Sequence, residues 1–80
     1  MAVKHFRIKV PKSDIMELLN FTEKIKCMIN IGYDNVVASG KSIEGMLSLD
    51  NDKEWLFIMH DIECDDDYRI GERIKEIWGI

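Results

Sequence analysis

Gly40-Lys41-Ser42-Ile43-Glu44-Gly45-Met46-Leu47-Ser48-Leu49 reads as the end of a strand, a capping serine and one short helix with an apolar face. Ser42 stands at the N-cap position, its hydroxyl free to accept from first-turn N–H groups that have no partner inside the helix. Ile43, Met46 and Leu47 follow at helical spacing and fall on one side. The same region, from Asn35 to Ser42, comes within one residue of the phosphate-binding pattern G-x-x-x-x-G-K-[ST], with Asn35 in place of the first glycine. That pattern needs a long helix after the serine and a parallel sheet around it. Gly45 follows Ser42 three residues later in a chain of 80 residues, so the nucleotide-binding reading fails.

Working outward, the chain alternates between two periodicities. Residues 5–10 alternate polar and apolar, which predicts a half-buried strand with Phe6, Ile8 and Val10 inward, ended by Pro11. Asp14-Ile15-Met16-Glu17 has the form of a capping box. It should open an amphipathic helix running to about Cys27, with Ile15, Leu18 or Leu19, Thr22 and Ile25 buried. Residues 28–31 form a short strand, Gly32-Tyr33-Asp34-Asn35 a turn, and residues 36–39 the returning strand of a hairpin. After the Ser42 helix, Asp50-Asn51-Asp52-Lys53 is a polar loop and residues 55–62 a strand rich in aromatic and branched side chains. Asp65-Asp66-Asp67 opens a last helix that ends near Trp78, with Ile70, Ile74 and Ile77 facing inward. The expected fold class is α+β, an open-faced two-layer sandwich of order β-α-β-β-α-β-α. Its four-stranded antiparallel sheet carries three helices on one face, in a single domain spanning residues 1–80.

The run Lys41-Ser42-Ile43-Glu44-Gly45-Met46-Leu47-Ser48-Leu49 resembles the K-S-I-M-G-x-M-S-L segment of HPr, the phosphocarrier of the bacterial sugar phosphotransferase system. The resemblance runs from Asn30 to the C-terminus and implies the same element order. In many members from Gram-positive bacteria the matching serine is a regulatory phosphorylation site. The family's other signature, a G-x-H-A-R-P-A loop with the phosphocarrier histidine, is absent: the junction here reads Val10-Pro11-Lys12-Ser13-Asp14-Ile15. A carboxylate at Asp14 should itself occupy the helix start and repel a phosphate. His5 and His60 lie in strands and match no family motif. The chain is thus similar to the catabolite-repression branch, which lacks the histidine and keeps the serine. Glu44 departs from the apolar residue usual there and would oppose a phosphoserine dianion.

Composition narrows the classes. Fifteen carboxylates against eleven basic side chains make a mildly acidic globular chain, so direct nucleic-acid binding would need a local basic stripe. Lys4, Arg7, Lys9 and Lys12 cluster early but without interleaved aromatics, as on a solvated strand face. No apolar run approaches the ~20 residues of a membrane span, and the N-terminus lacks the apolar core of a signal peptide. Cys27 and Cys64 form no CxxC pair or disulfide framework, so a cytoplasmic setting is expected, and the resemblance to HPr implies a bacterial one.

Other motifs carry little chemistry. His60, Asp61, Glu63, Cys64 and Asp65-Asp66-Asp67 lack paired-ligand spacing for zinc, and acids at a helix start have a sufficient reason in the dipole. Asp50-Asn51-Asp52-Lys53-Glu54 has Trp55 where a calcium loop requires glycine. With no nucleophile–base pair and no cofactor loop, the expectation is a protein without catalytic residues, cofactor or metal.

The functional expectation is therefore a regulatory or adaptor protein without phosphohistidine transfer, switched at Ser42 and docking protein partners through Ile43, Met46 and Leu47. The resemblance implies HPr kinase or a transcriptional regulator as the partner. Leu56 and Ile58 alternate with Trp55, Phe57 and Met59, so both faces of that strand are apolar. One face of an open sandwich meets water, which makes Leu56 and Ile58 candidates for self-association as a homodimer. The competing expectation is a small α+β ligand-binding or assembly module in which the Ser42 run is only structural.

Overall fold

The computed structural model describes residues 2–80. Four strands, β1 (Ala2–Ile8), β2 (Met28–Tyr33), β3 (Val36–Ser39) and β4 (Trp55–Ile62), form one antiparallel sheet in the order β1-β4-β2-β3. The helices are α1 (Ile15–Thr22), α2 (Ile43–Ser48) and α3 (Asp65–Trp78), with a 3-10 turn at Lys12–Asp14 before α1. The element order is β-α-β-β-α-β-α, the α+β architecture that the alternating periodicities predict.

Register decides which side chains meet the helices. Phe6 pairs with Phe57 and Phe57 with Ile31, while Met59 pairs with Ile29 and Ile8 with Trp55. All of these are buried, and the Phe6 and Phe57 rings stack with centroids 5.0 Å apart. They pack with Ile15, Leu18, Leu19, Met46, Leu49, Ile74 and Trp78 into one core between sheet and helices. The alternate residues form the open face. Its central rows are His5-Ile58-Asn30-Ser39 and Arg7-Leu56-Gly32-Val37 across β1-β4-β2-β3. Between Lys4 and Ala2, β4 carries one residue more than β1, and Asp61 takes a left-handed φ of 52° there. The bulge returns Ile62 to the buried side.

Several boundaries differ from expectation. The first strand spans Ala2–Ile8 rather than residues 5–10, because the chain leaves β4 after Ile8. Lys9 N–H instead donates to Trp78 O (3.0 Å) and Ile80 N–H to Arg7 O (3.1 Å), so the chain's last residues cap the outer edge of β1. Val10 is nevertheless fully buried. The hairpin turn is only Asp34-Asn35, with Gly32 and Tyr33 in β2 and Asp34 left-handed at φ 50°. A Cβ on Gly32 would run into the Val36 carbonyl, so the hairpin curls over the open face where only glycine fits.

The first helix stops at Thr22, not near Cys27. A continuing helix would direct the N–H groups of Lys26 and Cys27 back to residues 22 and 23. The Asp67 carboxylate takes both instead, at 3.0 and 3.1 Å. Nor does the capping box form: Asp14 makes no cap bond, and its carboxylate accepts from Trp78 Nε1 at 2.9 Å. A buried indole N–H needs an acceptor, and Asp14 is the one in reach. In α3 the bounds are as expected but the inward face is turned, comprising Asp67, Gly71, Ile74 and Trp78. Ile70 is only half-buried and Ile77 is exposed. A Cβ at Gly71 would lie 2.7 Å from Met59 Sδ, so the glycine gives the end of the Met59 side chain its place against α3.

Candidate functional site

The Ser42 helix is built as its sequence indicates. Gly40 N–H donates to Ile29 O (2.8 Å), which ends the β3 segment against β2. Ser42 Oγ accepts from Gly45 N–H at 3.1 Å, and Met46 N–H closes the first turn onto Ser42 O at 3.0 Å. The helix lies on β3, with the Gly45 Cα hydrogens facing Ala38 so closely that a Cβ would sit 3.1 Å from the Ala38 methyl. Ser42 is half-buried, while Ile43, Glu44 and Leu47 face solvent. The expected docking trio therefore divides. Met46 has no exposed surface and belongs to the core, because a six-residue helix over the sheet must spend its central apolar side chain on the interior. Ile43 and Leu47 remain outside, 36% and 53% exposed, on either side of the buried Met46 position in sequence. Met16 on the neighbouring α1 is also exposed.

The start of α1 carries no imidazole, with Lys12 and Ser13 exposed and Asp14 turned to Trp78. The expectation that the Asp14 carboxylate would satisfy the helix's own N–H groups is corrected by that bond. His5 and His60 stay in β1 and β4, neither at a helix start, and His60 Nε2 is buried without a hydrogen-bond partner.

A concavity of about 540 Å3 lies on the open sheet face. Leu56, Ile58 and Asn30 line it with the curled hairpin at Val36 and Val37 as one wall, and Arg7 and Lys9 stand on the β1 side. Leu56 and Ile58 are half-buried there and Val37 is 70% exposed, so the expected open-face pair does lie on the face without helices. Asp34 at the hairpin tip meets Lys53 Nζ at 3.5 Å, and the same ammonium lies 5.1 Å from the centre of the Tyr33 ring. Tyr33 Oη accepts from Asp50 N–H at 2.8 Å, fixing hairpin to loop.

A second hollow, at the other end of the sheet, is lined by Cys27, His60, Cys64 and Asp67. Asp67 is buried at 2% exposure. Burial alone would raise its pKa, but the Lys26 and Cys27 N–H groups, with smaller contributions from the two thiols, hold it below the usual value of 3.8. Burial and then the nearby Asp67 charge push the Cys27 thiol up, so it stays protonated and a poor nucleophile. Among the described residues, no group of three His, Cys, Asp or Glu side chains is arranged to hold a metal ion. By sequence, Asp67 counts among the acids that complement the helix dipole. Its spacing to Gly71, Ile74 and Trp78, one helix face, is the signal that could have revealed its burial. No described helix is long and apolar enough to cross a membrane.

Comparisons of the chain with protein families, curated proteins and solved structures give no match.

Proposed function

We propose that the protein is a non-catalytic, HPr-like regulatory or adaptor protein that engages a protein partner through the Ser42 helix. The observation that carries the reading is the Ser42 constellation. A half-buried cap serine stands beside two exposed apolar side chains, Ile43 and Leu47, on a helix that the core anchors only through Met46. A phosphoryl group on Ser42 adds a charge of roughly −2 and three acceptor oxygens. It would replace the hydroxyl that now accepts from Gly45 N–H and would stand near Glu44, changing the charge of the surface that Ile43 and Leu47 present. Partners of the expected kind are HPr kinase or a transcriptional regulator with basic side chains at its docking face.

The test is intact mass after incubation with HPr kinase and ATP. The reading expects one phosphate in the wild type and none in Ser42→Ala. No gain, or a gain that survives the substitution, overturns the switch. Independently of any kinase, Ser42→Ala removes the cap bond and is expected to lower stability by about 0.5–2 kcal/mol in urea unfolding. With no histidine at the start of α1, exposure to the first enzyme of the phosphotransferase system and labelled phosphoenolpyruvate is expected to leave no acid-labile phosphate. Stoichiometric label on His5 or His60 would contradict that.

The second reading, an assembly or ligand-binding module, is favoured by the concavity over Leu56 and Ile58, which the Ser42 reading does not use.

A further inference from the structure

The hollow beside α3 brings together two cysteines from segments far apart in sequence. Cys27 stands just before β2 and Cys64 is the N-cap residue of α3, and both line the hollow half-buried. Asp67, one helical turn beyond Cys64, already joins the two segments. Its carboxylate takes the N–H groups of Lys26 and Cys27 at 3.0 and 3.1 Å. Both thiols also reach that carboxylate and hydrogen-bond to it. Side chains three apart on a helix have Cβ atoms about 5–6 Å apart. Cys64 and Cys27 thus flank a single carboxylate at short range, and a disulfide joins residues whose Cα atoms lie about 4.4–6.8 Å apart. The backbone that a cross-link must bring together is held together before any cross-link forms.

We propose that Cys27 and Cys64 form a reversible dithiol–disulfide site, closed by a small-molecule disulfide, that fastens the start of α3 to the start of β2. Closure leaves the two backbone bonds to Asp67 in place and removes only the thiol contacts from its carboxylate. In a reducing compartment such a site senses redox change and does not serve as a permanent staple.

The exchange takes two steps. Cys27 is the thiol that burial and the Asp67 charge hold protonated, so Cys64 reacts first and ring closure is the slow step. The Cys64 thiolate attacks one sulfur of the small disulfide, whose S–S bond breaks and releases one small thiol. Cys27 then loses its proton to solvent and attacks Cys64 Sγ in the mixed disulfide. That S–S bond breaks in turn, and the second small thiolate leaves and takes up a proton. Two cysteine thiols are oxidised and one small disulfide is reduced to two thiols. The other titratable side chains of the hollow are Lys26, His60, Asp61 and Glu63. With Asp67 the lining carries three acids against one ammonium, so an anionic oxidant is disfavoured and a neutral one is the suitable probe.

The experiment equilibrates the reduced protein with mixtures of mercaptoethanol and hydroxyethyl disulfide, both uncharged, in native buffer and in denaturing urea. Acid quenching, intact mass and free-thiol titration read the outcome. The native chain should end as a monomer two hydrogens lighter, with no free thiol. Its equilibrium constant for closure should exceed that of the unfolded chain by about tenfold or more, since a cross-link that suits the native geometry stabilises it. Cys27→Ser should halt at one mixed disulfide on Cys64, and Cys64→Ser should form its mixed disulfide on Cys27 more slowly. Mixed disulfides on both cysteines without closure, cross-links only between chains, or a closure constant no larger in the native than in the unfolded chain overturns the proposal. Faster reaction at Cys27 than at Cys64 overturns the order of the two steps. None of these outcomes bears on Ser42, whose test is a phosphate gain in a separate experiment.

Discussion

Replacement of Trp78 by alanine is expected to lower stability by about 3–5 kcal/mol, the range for deleting a large buried aromatic. A domain of this length has roughly 4–12 kcal/mol in total, so a large part of the native margin would go. The side chain is 4% exposed at the end of α3, meets the Phe21 ring edge-on at 5.9 Å, and donates its indole N–H to Asp14. Its carbonyl also receives Lys9 N–H. Trp78 thereby joins β1, the start of α1 and the last helix, three segments far apart in sequence. Trp78→Phe should retain most of the burial and lose the hydrogen bond, costing about 1–2 kcal/mol. Urea unfolding of both variants checks the order. Equal losses would mean that the hydrogen bond to Asp14, rather than burial, dominates.

Asp67→Ala is expected to cost about 3 kcal/mol, because two backbone N–H groups lose a charged acceptor worth about 1.5–3 kcal/mol each, with water regained at the exposed Lys26. Asp67→Asn should cost less, since an amide oxygen can keep one of the two bonds. The pH dependence has a definite sign. The folded-state pKa lies below the ordinary value, so the contribution of Asp67 is complete above the unfolded pKa of about 4 and is lost as pH falls through the folded value. The stability gap between wild type and Asp67→Asn should therefore narrow on acidification below about pH 4. A gap that stays constant down to acid unfolding would show that the carboxylate's charge is not what holds the Lys26-Cys27 turn.

The sheet was legible in the sequence because burial on one face enforces a period of two, and residues such as Phe6, Ile8, Phe57 and Met59 obey it without exception. The Ser42 cap was legible because capping is local, needing only a hydroxyl and the next turn's backbone. What failed was non-local. Asp14 and Glu17 have capping-box spacing, yet an indole 64 residues away claims the Asp14 carboxylate. Ile70, Ile74 and Ile77 have core spacing, but the true face runs through a charged residue and a glycine. One captures the turn after α1, and the other gives way to Met59. For the candidate site, spacing placed Ile43, Met46 and Leu47 on one side of a helix, but not how deep that side would sit, and depth removed Met46 from the surface.

The strand order has a kinetic corollary. β1 is first in the chain, yet its sheet neighbour is β4, some fifty positions later, and β4 also supplies the link to the β2–β3 hairpin. During vectorial synthesis a nascent chain that stops short of Trp55 holds a hairpin and an unpaired strand, with Phe6 and Ile8 lacking the surface they are to cover. Long-range pairing of this kind slows folding and leaves the early strand open to association with other chains. Emergence of β4 is then the event that joins both halves at once. The ribosome completes the middle of this sheet last.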